Sequence, residues 1–197
     1  MTNYVIETWF PTGVFVEDDL LTESLSTFED KIKTVRKEQG VIRGSIQSVE
    51  STHKTFDQLH TLEEFTNLSE IILNRAKLFA KELGYTNRFD MLHIDNMWSN
   101  ISYEGDYLFP HTHSDSVISG AFYVKSPINS KIKFFSNHSQ MITPPDQMNS
   151  PLSYEYASYD CQPGRLLLFK SDTKHGTEKQ PAGEKIVISF NLSFRRY

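Results

Sequence analysis

The sequence predicts a mainly β fold with flanking helices, an α+β arrangement in which the helices come first. Three observations carry this. Two stretches with apolar residues at helical spacing lie within residues 1–88, and five short β-like runs separated by turn-rich pieces fill residues 89–197. Aromatic residues make up 13% of the chain, with 14 Phe and 9 Tyr, a bias that suits sheets.

Residues 5–16 read as one or two short strands broken at Pro11-Thr12-Gly13. From Glu17 to about Gln39 the pattern turns helical, with Leu20, Leu21, Leu25, Phe28, Ile32 and Val35 on one face and Gly40 where the helix would stop. Residues 41–55 are polar, serine-rich and poorly periodic, and read as loop. A second helix is expected from about Thr61 to Leu83, its face formed by Leu62, Phe65, Leu68, Ile71, Ile72, Ala76, Phe79 and Leu83, with Gly84 as a C-cap. Strands are then expected over 91–103, 117–124, 131–135, 165–169 and 185–194, separated by Glu104-Gly105-Asp106, residues 127–130 and Gln162-Pro163-Gly164. Residues 137–150, with Pro144-Pro145, are the longest candidate loop.

Composition narrows the partners. A net charge of −5 gives no electrostatic reason to expect nucleic acid or a membrane surface. The one cysteine, Cys161, rules out an intrachain disulfide and a thiolate metal cluster. The N-terminus has neither the basic nor the apolar region of a signal peptide, and no apolar run approaches a membrane span. A soluble, cytoplasmic protein is expected.

The chemistry-bearing segment is Pro110-His111-Thr112-His113-Ser114-Asp115. In an extended strand alternate side chains share a face, which would present His111, His113 and Asp115 together. Two imidazoles and a carboxylate on one side of a metal, with the other side open, make the facial triad of non-haem iron(II) oxygenases. A histidine pair in a polar loop is on its own just as readily ordinary surface. The second half of the pattern shifts that balance: an apolar strand after Gly164 leads to a lone histidine, His175, and Lys185 opens the last strand ten residues later. A cation there suits a dicarboxylate co-substrate, whose distal carboxylate it would pair while the keto-acid end chelates the metal.

The segment from Tyr103 to His111 resembles the approach to the first iron ligand in prolyl-4-hydroxylase-like 2-oxoglutarate oxygenases. The wider chain resembles a bacterial and phage branch of that superfamily, the 2OG-Fe(II) oxygenases. The resemblance rests on Trp98-Ser99-Asn100, Gly105-Asp106, the His111/His113 pair, Ser119-Gly120 followed by Phe122-Tyr123, and the closing Gly164-Arg165-Leu166…Phe169…Ser171…His175. It implies a double-stranded β-helix (jelly-roll, cupin-like) core packed against two N-terminal helices. One domain over 1–197 is expected, with 1–88 supporting and 89–197 as catalytic core. It also implies Fe(II), 2-oxoglutarate and O2, and hydroxylation of a peptide or protein side chain or a small amino-acid-like metabolite.

Two ligand sets follow from two alignments of the usual His-x-Asp motif: His111/His113/His175, or His113/Asp115/His175. Lys185 is the expected co-substrate anchor, with Asn100, Tyr123 and Ser119 as further cofactor-binding candidates, although Val187 stands where the branch usually has a serine. Tyr103 and Tyr123 are more often core tyrosines than carboxylate partners. His93 reads as a strand residue on the polar face, His53 and His60 as helical-half residues without partners in the sequence, and His138 as ordinary surface in the long loop rather than a substrate contact. The competing reading is a cupin-type metal-binding jelly roll, either catalytic without 2-oxoglutarate or non-catalytic. A homodimer is also expected as an option, with residues 5–10 as an edge strand.

Overall fold

The structure, a computed structural model, describes residues 4–43, 48–137, 143, 146, 150 and 152–195. Its elements in chain order are β1 (Val14–Glu17), α1 (Leu25–Gln39), β2 (Ile42–Arg43), β3 (Glu50–Ser51), α2 (Thr66–Glu82), β4 (Leu92–Ser102), β5 (Ile118–Lys125), β6 (Lys131–Phe135), β7 (Tyr156–Asp160), β8 (Leu166–Lys170), β9 (His175–Thr177) and β10 (Lys185–Phe194). They form a seven-stranded sheet in the order β1-β8-β5-β10-β4-β3-β2 and a three-stranded sheet in the order β7-β6-β9. All named strand pairs are antiparallel. Two facing antiparallel sheets with helices packed outside the larger one are the double-stranded β-helix architecture expected above.

The helices form where the apolar periodicity puts them. Phe28, Ile32 and Val35 of α1, and Leu68, Ile72, Ala76, Phe79 and Ala80 of α2, are buried. They pack against Ile118, Phe122, Leu166, Leu168, Ile186, Ile188 and Phe190 on the outer face of the large sheet. Gly40, at φ 76°, ends α1 with its N–H donating to the Arg36 carbonyl. The opposite face of the same strands turns toward the small sheet, where Ala121, Tyr123, Leu167, Phe169 and Val187 meet Ile132 and Phe134. Strands covered on both faces explain why β5 and β8 read as apolar runs rather than as an alternation. Gly120 sits where they cross most tightly: a Cβ there would lie 2.4 Å from the Phe190 ring and 2.6 Å from the Leu167 carbonyl.

Four sequence expectations are corrected. Residues 5–10 form no strand and lie exposed, with Trp9 71% accessible; the N-terminal strand is β1 alone. Residues 41–55 are not merely loop. They carry β2 and β3, which extend the large sheet beyond β4, and they bury Val49, Ser51 and Thr52. Two further strands were not anticipated: β7, polar and at a sheet edge, and β9, only three residues long. Most of the 137–150 loop, including His138, lies outside the described residues. No helix among the described residues is long and apolar enough to cross a membrane.

Candidate metal centre and cavity

Three histidines converge at one end of the space between the sheets. His175 begins β9 and pairs with His111 through an isolated antiparallel bridge. The His111 N–H donates to the His175 carbonyl at 2.9 Å, and the His175 N–H returns the bond at 3.0 Å. This ladder is possible because residue 176 is glycine: a Cβ there would lie 2.8 Å from the Leu108 carbonyl and 3.0 Å from the Pro110 nitrogen. His113 is fixed separately, its N–H donating to the Ser171 carbonyl just beyond β8.

The ring centroids are 4.4 Å apart for His111–His175 and 5.2 Å apart for both His111–His113 and His113–His175. One ligand nitrogen from each ring falls within 4.8 Å of the others. The Nδ1–H of His111 donates to the Phe109 carbonyl at 2.8 Å, and that of His175 to the Thr173 carbonyl at 2.9 Å. A carbonyl only accepts, so each Nδ1 must carry the proton and each Nε2 a lone pair. Burial, reinforced by the neighbouring His111, pushes the His175 imidazole down to about 3 and the His113 imidazole down to about 4; His53 adds to the depression at His113. Both are therefore neutral at neutral pH. Neutral imidazoles oriented through Nδ1, with lone pairs convergent, fit a borderline divalent cation such as Fe(II).

The histidines lie on the wall of a cavity of about 290 Å³ between the two sheets. Inward side chains of β4 (Trp98, Asn100, Ser102), β5 (Ala121, Tyr123) and β10 (Lys185, Val187, Ser189) line it, as do Thr177, Phe169 and Ile132. Lys185 is 3% exposed and faces Ser102 across the β10–β4 pairing. Among the described residues no carboxylate pairs with it, and burial pushes its ammonium below the ordinary lysine value, with Cys161 acting against that. A buried ammonium without a counter-ion is unfavourable and marks a place built for an anion.

The other sequence candidates divide. Asn100 and Tyr123 line the cavity. The Asn100 Nδ2 donates to Ser189 Oγ at 2.9 Å, and the fully buried Tyr123 hydroxyl is hydrogen-bonded to Cys161, its pKa raised by desolvation. Ser119 is not on the cavity wall. Its Oγ donates to Asn191 Oδ1 at 2.7 Å and sits 2.8 Å from Ser171 Oγ, in a buried network that Asn191 continues to Asn96. Asp115 is exposed in the Ser114–Asp115 turn and does not belong to the convergent ligand group. Tyr103 is 40% exposed and off the wall as well.

Sequence reading missed the far wall: Val49, Ser51 and His53 also line the cavity. Their segment carries no periodicity, and their partners on β4 are remote in sequence.

Against known proteins, the family model described as "Putative 2OG-Fe(II) oxygenase" matches residues 96–191. No curated protein matches the chain by sequence. Among solved structures, the chain is similar to a Pseudomonas putida prolyl-4-hydroxylase, with TM-score 0.65, 10% identity, and 94% of each chain covered. It is also similar to the viral collagen prolyl hydroxylase of Paramecium Bursaria Chlorella virus-1 in its 2OG complex, with TM-score 0.60, 14% identity, and 93% and 96% coverage. A third similar structure is HygX of Streptomyces hygroscopicus with nickel, 2-oxoglutarate and hygromycin B, with TM-score 0.62, 11% identity, and 94% and 84% coverage.

Proposed function

We propose that this chain, whose residues 96–191 match the 2OG-Fe(II) oxygenase family model, is a hydroxylase whose iron(II) is held by His111, His113 and His175 and whose 2-oxoglutarate is anchored by Lys185. The substrate in this reading is a peptide or protein side chain or a small amino-acid-like metabolite. It enters a single domain in which residues 1–88 brace the 89–197 core. Support for the substrate range comes from the similar structures, which include collagen and other prolyl hydroxylases and a complex with hygromycin B.

The observation that carries this reading is the buried, unpaired Lys185 in the same cavity as three convergent imidazoles. A metal-binding jelly roll that does without 2-oxoglutarate has no use for a desolvated ammonium, and its retention speaks for an anionic occupant.

When bound, iron and 2-oxoglutarate supply O2 activation coupled to decarboxylation of the keto acid to succinate and oxidation of a substrate C–H. The protein's contribution is positional. Carbonyls of Phe109 and Thr173 lock two imidazoles with Nε2 forward, and the Ser171 carbonyl holds the backbone of the third. Lys185 offers charge-assisted hydrogen bonds to a carboxylate, in a pocket that Val187, Ile132 and Phe169 keep apolar. Asn100 and Ser189, already bonded to one another, present the nearest polar edge along the wall.

The test is iron- and 2-oxoglutarate-dependent formation of succinate under O2, run beside equilibrium binding of 2-oxoglutarate. Turnover and iron binding lost in His175→Ala, together with weakened 2-oxoglutarate binding in Lys185→Ala, support the assignment. A His175→Ala protein that still binds iron as tightly as the parent rules it out.

A further inference from the structure

His53 lines the same cavity as the three histidines, on the His113 side, and nothing in the reading above uses it. Its backbone is rigidly held. The preceding Thr52 is fully buried and donates its N–H to the Ser99 carbonyl at 3.0 Å, and Arg36 clamps Glu50 at 2.6 Å. The imidazole lies against the Trp98 indole with ring centroids 4.3 Å apart, and Trp98 in turn lies 6.3 Å from His113. The side chain is nevertheless exposed at the cavity mouth. Among the described residues its ring nitrogens make no hydrogen bond; the bond recorded at this residue is from its backbone N–H to Ser51 Oγ. A polar ring fixed in place but left unpaired, facing the metal ligands, is what a substrate contact requires.

The charge of the cavity limits what that substrate can be. Among the described residues no carboxylate lines it. A divalent metal and the Lys185 ammonium together bring three positive charges, and the 2-oxoglutarate dianion, one carboxylate on the metal and one on Lys185, offsets two of them. The loaded site therefore keeps one net positive charge in a low-dielectric space. Asp57, the acid that acts on His53, is not on the cavity wall, and Lys54 opposes it.

Building on the oxygenase reading, we propose that His53 is the specificity-determining residue of this site and that it hydrogen-bonds a substrate whose entering end is anionic or a neutral amide, not an ammonium. The aromatic support of Trp98 sets the height of the imidazole above the cavity floor. The net positive charge of the loaded site repels an amine and attracts a carboxylate or carbonyl dipole.

Trp98 supplies its own readout. The second tryptophan, Trp9, is exposed and does not line the cavity, so Trp9→Phe leaves the emission of Trp98 as a reporter of cavity occupancy. Trp9→Phe protein would be loaded with zinc and 2-oxoglutarate, which fills the co-substrate site without turnover. It would then be titrated at neutral pH with N-acetylleucine, N-acetylleucinamide and leucinamide: an anion, a neutral amide and a cation of one shape. The acid and the amide are expected to bind at least about tenfold more tightly than the amine, the scale of one unit charge met at short range in a partly screened pocket. His53→Ala should remove most of that binding and His53→Gln should restore part of it, while zinc and 2-oxoglutarate affinities stay unchanged in both. Equal response to all three probes, no response to any, or an unaffected His53→Ala protein overturns the proposal. Failure of the parent to bind 2-oxoglutarate at all instead overturns the oxygenase reading beneath it.

Discussion

The two faces of the large sheet are built from the same strands and do opposite work. On the helix side, Ile118, Phe122, Leu166, Leu168, Ile186, Ile188 and Phe190 meet α1 and α2 in an unbroken apolar layer. On the other side, residues one step along those strands include Lys185, Ser189, Asn100 and Tyr123, mixed with a few apolar neighbours around a cavity. Stability is concentrated in the first face. It lets the second hold groups, above all an unpaired buried ammonium, that a small core could not carry alone.

The sharpest way to separate the faces is Phe122→Ala. Phe122 is fully buried and packs edge-on to Phe28 at 6.1 Å, so its loss should lower unfolding free energy by about 3–5 kcal/mol. In the surviving folded fraction, 2-oxoglutarate affinity should stay at the parent value; a denaturant melt beside a binding titration checks both. The inverse is Lys185→Met. It should weaken 2-oxoglutarate binding by about 2–5 kcal/mol, the usual cost of truncating one partner of a buried charge pair. The same change should raise the melting temperature of the ligand-free protein, because it removes a desolvated charge. A drop in melting temperature would mean that the lysine has a partner in the free protein and that the contrast between the faces is overstated.

Acid should act through the cavity face. His175 is neutral in the folded protein down to about pH 3, whereas in the unfolded chain it titrates near the ordinary histidine value of 6.5. Above the unfolded value neither state is protonated and nothing is lost. Below it the unfolded state alone takes up a proton, so stability falls with pH by about 1.4 kcal/mol per unit for this residue until the folded value is reached. His113, more accessible, adds in the same direction. Metal-free protein should therefore melt earlier at pH 5 than at pH 7, and His175→Ala should flatten that slope. The smallest effect is expected from Ser119→Ala, about 1 kcal/mol of stability from its hydrogen bonds to Asn191 and Ser171. Its 2-oxoglutarate affinity should be unchanged, and a marked loss there would return Ser119 to the binding site.

What the sequence made legible follows the same division. Both helices and the long strands of the large sheet were readable because burial on a fixed face imposes a period on apolar residues: Phe28, Ile32 and Val35 in one case, the Ile186–Leu192 run in the other. The imidazoles at His111, His113 and His175 stood out by residue type. Asp115, the alternative ligand, lies outside the convergent group because alternation assumes an extended chain, and the backbone instead turns at Ser114. The wall carrying Val49, Ser51 and His53 left no trace, since a strand as short as β3 has no period and His53 gains its meaning only from Trp98, a neighbour supplied by folding. Likewise β7 and β9 are held by pairing to β6 rather than by any pattern of their own.

The reciprocal backbone bonds between His111 and His175 have a consequence for how the protein would behave when stripped of its ion. The two amides that close this bridge belong to the proposed ligand residues, so in that reading the strength of the ladder and the occupancy of the site are thermodynamically linked. Their protons should exchange with solvent slowly when the site is filled and faster when it is empty, which would let those two amide positions report residence of the ion in the absence of any turnover.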